Sequence, residues 1–174
     1  TQVHLDFDLG EEFSTVTATS TYVPREGQQG APLALDGRDS FVELISVSID
    51  DKKLTSSDWS LTPNVEDTKM TINTVPDTKF TMKVVTKFKP ADNLELSGLY
   101  KSSGTFCTQC EAEGFRLITY FPDRPDVMSI FTVTMTADKS KYPVLLSNGN
   151  LENTQTDLPD NKHSATWFDP HLKP

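Results

Sequence analysis

Between Phe80 and Phe88 the chain alternates strictly, with Phe80, Met82, Val84, Thr86 and Phe88 on one side and Thr81, Lys83, Val85 and Lys87 on the other. A repeat of two places successive side chains on opposite faces of an extended backbone, whereas a helix needs a repeat near 3.6. The same rhythm opens the chain, where Val3, Leu5, Phe7 and Leu9 alternate with His4, Asp6 and Asp8, and it returns in Val16, Ala18, Ser20 and Tyr22. Further strands are predicted over residues 33–35, ahead of an Asp36-Gly37 turn, and over 41–49, ahead of a turn at 50–53. Others are predicted at 59–61, 70–72, 94–100, 115–120, 131–137, 144–146 and 164–168. Residues 101–114, small, polar and bounded by glycine, read as an ordered loop rather than a tight hairpin. Pro122 and Pro125 bar residues 121–126 from a central strand, and the helical signal is confined to a turn near 126–129. The fold class is therefore all-β, a twisted, saddle-like sandwich of two sheets.

A chain of 174 residues is long enough to bury one sizeable core, so residues 1–174 are expected to form a single β domain. Sixteen Lys and Arg against 25 Asp and Glu give a formal charge of −9, which opposes phosphate backbones and anionic lipid surfaces. No apolar run approaches the roughly 20 residues of a bilayer-spanning helix. No nucleic-acid partner and no membrane partner is expected. Thr1 opens directly into an alternating strand, without an initiator Met or an apolar leader, so the amino terminus reads as trimmed. Cys107 and Cys110 are half of a zinc ribbon without its second half, and a Cys-x-x-Cys redox motif without a helix start. They are expected to be reduced, partly buried thiols. With no Asn-x-Ser/Thr sequon, this cysteine usage reads as a cytoplasmic or organellar protein, not a secreted one.

The densest chemistry lies between Gly98 and Val127, and above all in Cys107-Thr108-Gln109-Cys110-Glu111-Ala112-Glu113-Gly114-Phe115-Arg116. This run resembles the corresponding segment of the M1 family of zinc aminopeptidases, in particular the aminopeptidase N (alanyl aminopeptidase) branch. The likeness continues through Tyr142 to Asn150, is dense over residues 94–150, and is weaker but compatible over 1–93. It implies the saddle-like N-terminal domain of those enzymes, which lends polar groups to an active site built by the next domain. Trp167 to Pro174 resembles the family's exit from this domain, so the catalytic domain is expected after Pro174.

Metallopeptidases of this kind hold zinc with His-Glu-x-x-His on one helix face. His4, His163 and His171 lack that spacing, and a Gly-Ala-Met-Glu-Asn type motif for a free amino terminus is also missing. The resemblance thus implies zinc in the full-length enzyme, no metal ligands and no catalytic residues within this chain, and no activity for the chain alone. It assigns Gln109, Glu111 and Ala112 to substrate binding, with Glu111 on the α-ammonium of a peptide and Gln109 lining the S1 region, and it implies a cis peptide bond at Glu111-Ala112. The implied partners are peptides with a free N-terminus and the protein's own catalytic domain.

Read without the family, Glu111 is a solvated loop carboxylate. Asp123, Arg124 and Asp126 read as a surface ion-pair cluster, Arg116 as a partner of Glu113 or of the next domain, and Trp59 and Trp167 as core or interface groups. A stand-alone β-sandwich module that binds protein or carbohydrate without catalysis is the alternative function.

Overall fold

The computed structural model describes residues 2–64 and 67–174. In chain order the strands are β1 (Gln2–Asp8), β2 (Ser14–Tyr22), β3 (Leu33–Gly37), β4 (Glu43–Ile49), β5 (Lys52–Lys53), β6 (Trp59–Asn64), β7 (Asp67–Ile72), β8 (Phe80–Phe88), β9 (Gly98–Ser102), β10 (Thr105–Gln109), β11 (Ser129–Asp138), β12 (Asn150–Asp157) and β13 (Lys162–Lys173). The helical residues among those described are two single 3-10 turns, Pro90–Asp92 and Phe115–Leu117. No described helix is long and apolar enough to cross a membrane.

Eight strands form one sheet in the order β12-β13-β11-β1-β2-β8-β4-β5, with β1 parallel to β11 and every other neighbour antiparallel. Register carries the alternation across it: Leu5 lies opposite Ala18 and Val133, and Val84 opposite Ala18 and Val47, so one face is apolar almost from edge to edge. Slipping any strand by one residue would move its apolar set to the other face. That other face carries His4, Asp6 and Asp8 and the threonines of β2. A three-stranded sheet, β3-β7-β6, supplies Leu35, Met70 and Ile72 to the same core, all fully buried. Each such side chain contributes about 1.5–3 kcal/mol. The sandwich expected from the sequence is thus present, with a two-stranded ribbon of β9 and β10 as a third hydrogen-bonded unit. Pro63 sits in β6 at a sheet edge, where a missing N–H is tolerated.

Several sequence expectations are corrected. Residues 101–109 are not loop but part of a tight hairpin: Ser103 and Gly104, both at positive φ, join β9 to β10, and the expected loop is confined to 110–114. Residues 115–120 form a buried 3-10 turn and its continuation rather than a strand; every side chain there is enclosed, Arg116 and Thr119 included, so the run carries no period of buried and exposed positions. The turn expected at 126–129 is not helical, and Ser129 already begins β11. Strand expected over 94–100 starts only at Gly98, since the Asn93 side chain donates to the carbonyls of Ser97 and Leu99 and folds the intervening residues into a loop. Asp36 and Gly37 continue β3, where Asp36 exchanges backbone hydrogen bonds with Phe121 and the missing Cβ of Gly37 makes room for the Tyr120 ring.

Residues 144–146 are not a strand either. Leu145 is buried while Val144 and Leu146 are 63% and 70% exposed. The segment is pinned from β13, where His163 Nε2 donates to the Tyr142 carbonyl at 2.7 Å and Trp167 Nε1 donates to the Leu145 carbonyl at 3.1 Å. Strand β12, polar and at the edge, had no apolar period to reveal it.

Candidate functional site

The ribbon of β9 and β10 lies over the β1-β11 region of the large sheet. Its outer side is fastened by Glu11, which accepts a hydrogen bond from the Tyr142 hydroxyl at 2.7 Å and pairs with Lys101 at 3.4 Å. The Tyr142 hydroxyl, opposed by some burial and aided by Lys101 and Lys141, holds the Glu11 carboxyl below its usual range. Lys101 also lies over the Phe106 and Tyr142 rings. Beneath the ribbon is an apolar cavity of about 350 Å³, bounded by side chains such as Leu5, Phe7, Leu99, Met135 and Leu145.

Ladder pairing in the ribbon ends where Gln109 faces Gly98. The chain then folds back: the Gly114 N–H donates to the Cys110 carbonyl at 2.8 Å, and Glu111, Ala112 and Glu113 stand exposed between them. The Glu111-Ala112 bond is cis, as the resemblance implies, and Glu113 has φ of +64°. Gln109 is exposed and donates from Nε2 to the Glu111 carbonyl at 2.9 Å, bracing the turn. Gly114 admits no side chain, because a Cβ there would lie 2.6 Å from the Gln109 carbonyl oxygen and 2.7 Å from Ser97 Oγ.

Immediately after, the chain is anchored by Arg116, only 8% exposed. Its backbone N–H and Nε both donate to Asp123 Oδ2, at 3.1 and 3.0 Å. Nη1 donates to Asp67 Oδ2 at 2.6 Å, and Nη2 donates to the Asp123 carbonyl at 2.8 Å and lies 3.4 Å from Glu113 Oε1. Asp67 in turn accepts from Arg38 Nε, and Arg38 Nη1 donates to Glu95. Burial works against the charge on Arg116, but the hydrogen bonds it donates to Asp123 and Asp67 outweigh this and raise its pKa. Asp123 therefore belongs to this buried network, while Arg124 and Asp126 form the exposed pair expected of them. Asp67 gave no sign of its role in the sequence, being 49 residues from Arg116.

Glu111 differs from its neighbours. Among the described residues its carboxylate meets no cation, whereas Glu11, Asp67, Glu95, Glu113 and Asp123 each do. The turn thus presents an unpaired anion from a fixed backbone, an arrangement that can receive a cationic group. Cys107 and Cys110 are free and partly buried, and burial, with the charge of Asp123, pushes the Cys110 thiol up to about 11. The residues present do not fit a zinc site. His4 is engaged with Thr134 on the polar face, His163 with the Tyr142 carbonyl inside, and among the described residues no three His, Cys, Asp or Glu gather.

Residues 2–174 match the family model of the peptidase M1 N-terminal domain. The chain is 45% identical over its whole length to aminopeptidase N of Escherichia coli (strain K12), of which it covers 19%. Aminopeptidase A of Legionella pneumophila, solved in complex with aspartic acid, superimposes with a TM-score of 0.86 at 33% identity, over 99% of this chain and 20% of that one. An M1 zinc metallopeptidase of Deinococcus radiodurans shares the fold, with a TM-score of 0.75 at 17% identity, over 100% of this chain and 39% of that one. The chain spans about a fifth of the length of the Escherichia coli relative.

Proposed function

The chain belongs to the peptidase M1 N-terminal domain family, and we propose that it is the part of a zinc-dependent aminopeptidase that grips the free amino terminus of a peptide. The observation that carries this reading is the unpaired Glu111 carboxylate on a turn braced at both ends. An ammonium drawn out of water needs anionic acceptors around it, and one charge-assisted hydrogen bond of this kind contributes roughly 1.5–3 kcal/mol. Gln109 supports the turn through its amide and offers its carbonyl oxygen to the same S1 region, while the small Ala112 leaves the approach open. In this reading zinc and the activation of water belong to the remainder of the parent protein, and no group of metal-ligating side chains gathers among the described residues.

A carbohydrate-binding module gains no support from the aromatic residues. Trp59 and Trp167 are half-buried against the core rather than displayed, and the Trp167 indole is engaged with the Leu145 carbonyl.

The test is Glu111→Gln in the full-length protein, which keeps shape and removes charge. Its kcat/KM on free-amine aminoacyl-arylamides should fall roughly tenfold to a hundredfold, from the loss of one charge-assisted bond. Zinc content should stay unchanged, and an N-acetylated analogue, which lacks the ammonium, should bind both forms alike. Equal kcat/KM for the two proteins would remove the assignment.

A further inference from the structure

We propose that Arg116, clasped between Asp67 and Asp123, is a positioning residue that holds Glu111 in place for the substrate ammonium. This rests on the reading of Glu111 given above. The geometry is that of a clamp around the base of the turn. Arg116 follows Gly114 by two residues, and Gly114 closes the turn that displays Glu111. Because Arg116 bonds to Asp123 through both its backbone N–H and its side chain, the 3-10 turn has little freedom to shift or rotate. On the far side Asp67 is shared with Arg38, and Arg38 reaches Glu95 in the loop that carries Ser97. Ser97 Oγ occupies the space a side chain on Gly114 would need, 2.7 Å from the position of a Cβ there. Both walls of the turn are thus tied into a single chain of ion pairs.

The same chain protects the charge of Glu111. Arg116 already touches Glu113, two residues beyond Glu111, and a guanidinium released from Asp123 would be a cation within the same turn, competing for the carboxylate meant for substrate. Three carboxylates around one guanidinium keep it occupied and turned inward. Lysine cannot replace it, since a single ammonium lacks the planar fork that meets two carboxylates and a carbonyl at once.

The measurement uses the full-length protein and two inhibitors differing only in the amine, L-leucine hydroxamate and 4-methylpentanohydroxamic acid. The ratio of their inhibition constants reports recognition of the ammonium and is insensitive to a general loss of folded enzyme. Glu111→Gln should reduce the ratio roughly tenfold to a hundredfold. Arg116→Lys and Asp123→Asn should each reduce it at least about fivefold, and in a Glu111→Gln background neither should reduce it further, as expected when residues act through one group. Should Arg116→Lys fail to fold, Asp123→Asn reads the same quantity with the arginine still present. A ratio lowered by Glu111→Gln but untouched by the foldable network variants overturns the positioning role and leaves the function intact. A ratio untouched by Glu111→Gln itself overturns both.

Discussion

Gly98 offers the sharpest test of how the ribbon is seated. It begins β9 with φ of +70°, and a Cβ added there would lie 2.6 Å from Leu117 Cβ and 3.3 Å from the Gly114 carbonyl oxygen. Gly98→Ala therefore meets two costs. Holding an L-residue in the left-handed region costs about 1–2 kcal/mol, and forcing a methyl against a packed neighbour costs about 1–3 kcal/mol, so the loss should be about 2–5 kcal/mol. For a domain of this size each kcal/mol moves Tm by about 2–4 °C, which predicts a fall between about 4 and 20 °C in calorimetry of the purified chain. Gly104→Ala is the control, because Gly104 has φ of +83° but nothing within 4 Å of the position a Cβ would take. It should show the conformational cost alone, about 2–8 °C. Equal Tm values for the two variants would refute the close approach of β9 to the 3-10 turn, and with it the account of how Arg116 is seated.

Two further outcomes follow from charge and burial. Asp67 is part-buried, which favours its neutral form, yet hydrogen bonds from Arg116 and Arg38 outweigh this and hold its carboxyl below its usual range. Its stabilising effect is thus complete above the ordinary aspartate value of about 3.9 and is lost as pH falls through the lower folded value; Asp67→Asn should flatten the acid limb of the stability profile, and a limb as steep as wild type would contradict the pairing. Burial raises the Cys110 thiol to about 11, so iodoacetamide labelling of a Cys107→Ser variant should quicken about tenfold per pH unit from pH 7 to 10, whereas a rate levelling off by pH 9 would refute it.

The fold was legible wherever one strand face meets water and the other the core. Strands β1, β2 and β8 alternate because every second residue is buried, and their period survives in the amino acids themselves. Legibility failed where burial is uniform or absent. Phe115 to Tyr120 is enclosed on all sides, so apolar character there could not distinguish a strand from a helical turn. Residues 150–157 lie at the sheet edge, and a strand with few buried positions leaves little periodic trace. The Ser103-Gly104 hairpin was hidden differently: turn chemistry was present, but the short polar strands beside it lacked the flanking alternation that marks a hairpin.

The site poses a subtler problem, because Glu111 and Glu113 stand two residues apart in similar polar company, and nothing in their residue type separates them. Resemblance to the family singled out Glu111; the folded chain supplies a physical reason for the difference. Glu113 pairs with Arg116, a contact that depends on the 3-10 turn bringing the guanidinium back beneath it. Arg116 is itself held by Asp67 from the three-stranded sheet and by Asp123 from the proline turn, so its orientation is a tertiary fact that its own sequence neighbours do not determine. An acidic chain with a formal charge of −9 has carboxylates to spare, and most exposed ones are surface charge. What sets Glu111 apart in the proposed reading is that the nearby arginine is engaged by Asp67, Glu113 and Asp123, leaving the Glu111 carboxylate without a cation of its own among the described residues.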